Sequence, residues 1–131
     1  MAQSAGLHEP EDRLTPEVID RHRAIVSLQE ELEAIDWYDQ RVTAAVDPEL
    51  KAILAHNRDE EKEHAAMTLE WLRRHDPALD RHLRTYLFTE EDILDIEEAA
   101  ADTGAAEPSG GSLEIGSLEG EKGEREGFAG D

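Results

Sequence analysis

The sequence of 131 residues contains no cysteine. This absence excludes disulfides, thiolate-bound metals and cysteine nucleophiles, and it fits a bacterial cytoplasmic protein. No apolar run approaches the roughly 18 residues of a membrane-spanning helix, so no membrane span is predicted. Residues 1–11 lack the basic and apolar regions of a secretory signal, so none is predicted there either.

Positive charge is scarce as well. The 13 lysines and arginines stand against 33 acidic residues, and the formal net charge is −20. Phosphate backbones repel such a surface, so nucleic-acid binding is not expected. An acidic surface attracts cations, including hydrated metal ions, although it also serves solubility alone.

Glycine is almost absent from the first hundred residues: Gly6 is the only one before Gly104, and the other eight lie in residues 104–131. The tail is instead rich in glycine, serine and glutamate, a linker composition. We therefore predict a disordered N-terminus over residues 1–14, a helical domain over residues 15–101 and a flexible tail over residues 102–131. A domain this short buries a small core, and self-association is a common way to enlarge it.

Proline stands mainly where helices begin. Thr15-Pro16-Glu17 and Asp47-Pro48-Glu49 each combine a capping side chain, a proline and a first-turn acid. We predict one helix from the first signal up to Asp47 and a second one folded back on it, ending near residues 73–75. Asp76-Pro77 begins a third, shorter helix and residues 89–92 begin a fourth. No segment alternates like a strand, so the predicted class is all-α.

Each long helix carries an apolar stripe at helical spacing. The first stripe consists of Ile25, Leu28, Leu32, Ile35, Val42 and Val46, and the second of Leu50, Ile53, Leu54, Met67, Trp71 and Leu72.

Three polar side chains of metal-ligand type interrupt these stripes. Glu31 follows Leu28 by three residues, and Glu61 and His64 precede Trp71 at helical spacing. Counted from the turn at Asp47, all three lie at similar heights on the hairpin. One Glu-x-x-His is expected by chance in a chain with 21 glutamates, so it is the shared face and height that indicate a metal site.

Ferritin-like bundles bind two irons with a lone Glu from each of two helices and a Glu-x-x-His from each of the other two. This hairpin carries half of that set. We therefore predict that two chains dimerise into a four-helix bundle and share a di-iron site formed by Glu31, Glu61 and His64 of both. Carboxylates with an imidazole suit iron, and they do not separate it from manganese. Alternatively, Glu31 and Glu61 lie on solvated edges and His64 is a core histidine.

Further candidates surround these ligands. Tyr38 lies seven residues after Glu31 on the same face, where it either contacts the metal or fills the core. Glu30 and Glu33 flank Glu31 and form either an outer holding site for Fe²⁺ or a solvated face. Trp37 is expected to serve packing.

Several stretches resemble the encapsulated ferritins, a two-helix branch of the ferritin-like superfamily. They are residues 22–27, 30–34, 36–41, 52–72 and 82–88. The resemblance implies a ferroxidase whose metal ligands are Glu31, Glu61 and His64, with Tyr38 beside the iron. It also implies an outer site at Glu30 and Glu33, with Trp37 near the centre.

The same resemblance implies an open decameric ring of five dimers that acts inside an encapsulin shell in the cytoplasm and delivers Fe³⁺ for mineral storage. The tail fits this role, since Leu113, Ile115 and Leu118 within residues 112–118 resemble a peptide that docks inside such a shell. Glu114 and the surrounding acids depart from the basic residues of such peptides. A non-redox metal buffer and a structural cargo scaffold remain the alternative functions.

Overall fold

The computed structural model describes residues 6–102, and all regular secondary structure in this range is helical. A 3-10 helix, Glu11–Arg13, precedes four α-helices: α1 (Pro16–Ala44), α2 (Pro48–Arg74), α3 (Pro77–Tyr86) and α4 (Ile93–Asp102). Residues 6–102 contain no strand, so the all-α prediction is confirmed. None of the helices in this range is long and apolar enough to cross a bilayer. The predicted docking motif at residues 112–118 lies outside the described residues.

Side-chain caps begin the helices where the sequence predicts them. The hydroxyl of Thr15 accepts a hydrogen bond from the Val18 amide at 3.1 Å. Asp47 accepts from the amide of Leu50 at 2.9 Å and Asp76 from that of Leu79 at 3.0 Å. Each bond satisfies an amide that has no partner inside the helix, so these starts are fixed by local sequence.

Helix α1 ends earlier than predicted. It stops at Ala44, and Ala45 and Asp47 have extended backbones with ψ of 143° and 125°. A residue before proline is disfavoured in the helical region, which explains Asp47. Val46, which the spacing places on the first stripe, lies in this connection and is 92% exposed.

A short turn that the sequence does not predict lies in the N-terminal segment. Composition predicts disorder over residues 1–14, whereas within the described part Glu11–Arg13 form a 3-10 helix. Pro10 has φ of −58°, and its carbonyl accepts a hydrogen bond from Arg13 at 2.9 Å. Proline fixes a dihedral compatible with such a turn, and one turn has too few residues to give a periodic pattern.

Helices α1 and α2 pack side by side as a hairpin. Within the described residues only Ala65 and Leu72 are buried, whereas other apolar side chains of both predicted stripes are exposed, among them Ile25, Leu32, Ile53 and Met67. A pair of helices covers only the contact line between them. The single chain therefore keeps an open apolar face along its hairpin.

The chain divides into two compact units between Arg81 and His82. The first contains the hairpin. In the second, Phe88 adopts a left-handed backbone with φ of 63°, and the hydroxyl of Thr89 donates to the carbonyl of Tyr86 at 2.7 Å. Since a side chain at positive φ costs roughly 1–2 kcal/mol, the turn after α3 stores some backbone strain.

A cluster of charges joins α2 to the start of α3. Arg73 donates two hydrogen bonds of 2.8 Å to Glu70 and also pairs with Asp80. Arg74 donates a further bond of 2.7 Å to Glu70. The bonds from Arg73, and then those from Arg74, lower the pKa of Glu70 from 4.5 to about 2.

The stability of the fold is expected to depend on Glu70 in acid. Because its pKa is lower in the folded chain, its contribution is present above the unfolded pKa of 4.5 and is lost as pH falls towards 2. Glu70→Gln, which keeps the size of the side chain, should lower the thermal midpoint at neutral pH and lower it less near about pH 2. Circular dichroism melts at both pH values measure the two differences, and equal differences would contradict the assignment.

Candidate metal centre

Glu31 lies near the middle of α1 with a partly buried side chain. Its Oε1 atom is buried and has no hydrogen-bond partner. A buried polar oxygen left unpaired costs about 1–3 kcal/mol, and more when it is charged. This position therefore calls for a cation or a donor from outside the single chain.

Glu61 and His64 lie one turn apart on α2. The Nδ1 atom of His64 is 3.7 Å from Oε1 of Glu61, and their side chains are 43% and 28% exposed, respectively. Ala65, the next residue, is buried against the hairpin. The spacing of three residues thus puts a carboxylate and an imidazole together at the edge of the packed surface, as the sequence predicts.

Residue counts along the two helices predict that the α1 carboxylate is level with this pair. Glu31 lies 13 residues before the last residue of α1, and Glu61 lies 13 residues after the first residue of α2. Equal lengths of helix, at about 1.5 Å per residue, return the chain to the same height. Within residues 6–102 of one chain, no three His, Asp, Glu or Cys side chains come close enough to hold a metal ion. The predicted centre draws on two chains and stays a prediction.

The aromatic candidates differ in their surroundings. Tyr38 is half-buried, and the guanidinium carbon of Arg41 lies 5.4 Å from the centre of its ring, a cation–π distance. Trp37 is half exposed and lines an open cleft with Gln40 and Arg41. Glu30 and Glu33 are exposed on α1. Solvent can therefore reach both carboxylates of the predicted outer holding site.

Sequence reasoning missed a row of side chains along α2. No chemistry is predicted for His56, yet its Nε2 lies 3.7 Å from Glu60, whose other oxygen lies 4.0 Å from Nε2 of His64. The sequence does contain an indication of this row: His56, Glu60 and His64 follow one another at intervals of four residues, which places them on one face of the helix. His64 thus lies between two carboxylates, Glu60 and Glu61.

A second missed feature crosses the hairpin. Arg58 of α2 donates to Asp39 of α1 at 3.1 Å and to the neighbouring Asp59 at 3.2 Å. Both bonds raise the pKa of Arg58 above its usual value, and the bond to Asp59 contributes most. Arg58 therefore stays positively charged. The two partners on opposite helices are 19 residues apart in sequence, a pairing that no local pattern indicates.

Comparison with known proteins gives one consistent group. The sequence profile of the EncFtn-like family matches residues 6–90. An encapsulated ferritin-like protein of Rhodospirillum rubrum is 63% identical over 92% of this chain and 94% of its own. A ferritin-like protein of Thermotoga maritima is 53% identical over 85% of this chain and 96% of its own.

More distant and structural relatives agree. An encapsulin nanocompartment cargo protein, EncC of Myxococcus xanthus, is 39% identical over 45% of each chain. A crystal structure of a Nitrosomonas europaea protein is 66% identical and superposes with a TM-score of 0.65, covering 67% of this chain and 97% of that one. The hairpin fold is therefore shared with a solved relative.

Proposed function

The chain belongs to the EncFtn-like family, and from this premise we propose that it is a ferroxidase that oxidises Fe²⁺ with O₂ at a di-iron site shared between two chains. The observation that carries the proposal is the buried and unpaired Oε1 of Glu31. Residue counts from the turn are the reason to expect it at the height of the Glu61–His64 pair. A cation at that point would compensate the carboxylate charge that the single chain leaves uncompensated.

The donor set fits iron. Carboxylate oxygens bind hard cations, one imidazole per metal is typical of ferritin-like sites, and the chain has no thiolate to favour zinc. Glu31 and Glu61 of both chains would neutralise the two Fe²⁺ ions, and the two His64 side chains would each donate a ring nitrogen. Tyr38, seven residues after Glu31 on α1, would help to orient this set.

The open apolar face supports sharing of the site between chains. Leu32 and Met67 are 53% and 58% exposed in the single chain, and they lie beside the ligands in sequence. Such exposed apolar surface is typical of an interface. Two hairpins that pair through it complete a four-helix bundle with four Glu and two His at its centre. We propose that five such dimers form a decameric ring.

The net charge of the chain and the names of its relatives support a route for Fe²⁺ to the site and for Fe³⁺ away from it. The net charge of −20 concentrates Fe²⁺ at the surface, and the exposed Glu30 and Glu33 would hold it before oxidation. Each Fe²⁺ loses one electron to O₂ and leaves as Fe³⁺. Since relatives are named as encapsulated or as encapsulin cargo, we propose that the ring works inside an encapsulin shell, docked through residues 112–118, and that Fe³⁺ is stored there as mineral.

Mixing the metal-free protein with Fe²⁺ and O₂ in a stopped-flow spectrometer tests this function. We expect ferric absorbance to rise much faster than with Fe²⁺ in buffer alone, and to do so only for the assembled protein. A metal buffer would bind Fe²⁺ without a fast ferric signal, and a scaffold would bind none. A monomer fraction that oxidised iron as fast per chain as the assembly would rule out a shared site.

A further inference from the structure

A charged bridge between α1 and α2 lies close to the predicted ligands. The guanidinium of Arg58 bridges Asp39, on α1, and Asp59, on its own helix, at 3.1 and 3.2 Å. Its side chain is 24% exposed, so it lies largely under its neighbours. Its partners Asp39 and Asp59 are 54% and 64% exposed, so what distinguishes the bridge is its geometry, in which one guanidinium reaches carboxylates on both helices.

This bridge lies on the turn side of the metal centre. Asp39 directly follows Tyr38, and Arg58 precedes Glu61 by three residues, about 4.5 Å along the axis. Arginine is the only side chain whose planar fork can address two carboxylates in fixed directions, whereas lysine presents a single point charge. A guanidinium held by carboxylates on two helices constrains both their distance and their register.

Fully buried apolar side chains are absent from the turn side of the ligands in the described part of the chain. Within the described residues of one chain, Ala65 and Leu72 are the only buried side chains, and both lie on the far side of Glu61 from the turn. A slip of one residue between the helices would move a ligand by about 1.5 Å and rotate it by about 100°. Neither displacement is compatible with metal coordination, which tolerates about 0.2 Å.

We propose that Arg58 is a positioning residue that sets the register of α1 against α2 and so brings the α1 ligand level with the α2 ligands. This inference rests on the proposed function and deepens it. Arg58 does not touch the metal; it acts through Asp39, and the loss of that pair is expected to weaken metal binding rather than the overall fold.

Binding of Co²⁺ to the full-length assembled protein tests the proposal, because Co²⁺ reports coordination geometry by its visible absorption and does not turn over with O₂. Arg58→Lys keeps the charge and loses the fork. We expect about 10-fold weaker Co²⁺ binding by titration calorimetry, together with a changed visible spectrum, as for loss of other groups that orient metal ligands. Asp39→Asn should have the same effect, and the double variant should bind no more weakly than either single one.

Arg73→Lys is the matched control. Arg73 is also an arginine of α2 held between two acids, with a side chain 25% exposed, and it lies at the α3 end of the helix. The Arg73→Lys protein should bind Co²⁺ as the wild type does, while circular dichroism shows that all variants are folded. Wild-type binding by Arg58→Lys, an unchanged Asp39→Asn, or equal weakening by Arg58→Lys and Arg73→Lys would each overturn the proposal.

The same titration separates this inference from the function it rests on. If His64→Ala binds Co²⁺ as tightly as the wild type, the metal centre itself is wrong and the inference falls with it. If His64→Ala abolishes binding and Arg58→Lys does not weaken it, the centre stands and only the positioning role is wrong.

Discussion

Replacement of His64 by alanine is expected to slow Fe²⁺ oxidation by the assembled protein at least about 100-fold. Groups that merely orient metal ligands contribute about 10–100-fold, and a ligand should contribute no less than the upper end of that range. Glu61→Ala and Glu31→Ala should have effects of similar size, since each removes two ligands from a site that two chains share. Stopped-flow absorbance gives the rate, and metal analysis gives the iron bound per chain.

Glu63→Ala provides the matched control for these variants. Glu63 lies between Glu61 and His64 in sequence, is exposed, and removing it changes the charge as much as removing either glutamate ligand does. The oxidation rate of this variant should equal that of the wild type. A loss as large as that of Glu61→Ala would mean that general surface charge drives the reaction, and the defined site would be wrong.

An apolar replacement of Glu31 should increase the stability of the metal-free chain although it removes activity. Its Oε1 is buried without a partner, so an apolar side chain of similar volume removes a cost of about 1–3 kcal/mol. Glu31→Leu should therefore raise the thermal midpoint of the metal-free protein while it abolishes metal binding. If the Glu31→Leu protein is more stable and inactive, Glu31 acts as a metal ligand. If it is less stable, Glu31 supports the fold.

Leu32→Glu is expected to dissociate the assembly and to abolish oxidation, although every predicted ligand is still present. Leu32 is 53% exposed on the open face of the hairpin, and pairing of two chains would bury a new carboxylate from each. Burial of an unpaired charge costs several kcal/mol, so association should weaken at least about 100-fold. Sedimentation should then detect a particle near the chain mass of 14.7 kDa.

Val46→Glu is the control for Leu32→Glu. Val46 lies in the connection between α1 and α2, is 92% exposed and gains the same charge. The Val46→Glu protein should sediment and oxidise iron as the wild type does. If Leu32→Glu remains assembled, or is fully active as a monomer, then the shared four-helix site is wrong.

Much of the fold can be predicted from sequence because its determinants are local. Thr15, Asp47 and Asp76 each cap a helix through an amide three residues away, and the prolines that follow them need no tertiary contact to favour a helix start. The Glu61–His64 contact is equally local, since a spacing of three residues brings two side chains together on any helix. Short-range spacing alone is therefore enough to predict these features.

Other features escape such local patterns. The 3-10 turn at Glu11–Arg13 is local but too short to carry a periodic signal, and the end of α1 at Ala44 follows from the extended connection that the hairpin needs. The apolar stripes indicate which face of each helix is apolar but not whether it is buried. Two helices cover only the line of contact between them, so part of both stripes has no partner within the chain.

The sequence by itself determined which residues cap the helices and that Glu61 and His64 share one face of α2, because helical spacing converts position directly into direction. Only the tertiary structure decided that Oε1 of Glu31 is buried and unpaired, and that Arg58 reaches across to Asp39. Both facts depend on the distance and register of two helices, which are set by packing and charge between residues far apart in the chain.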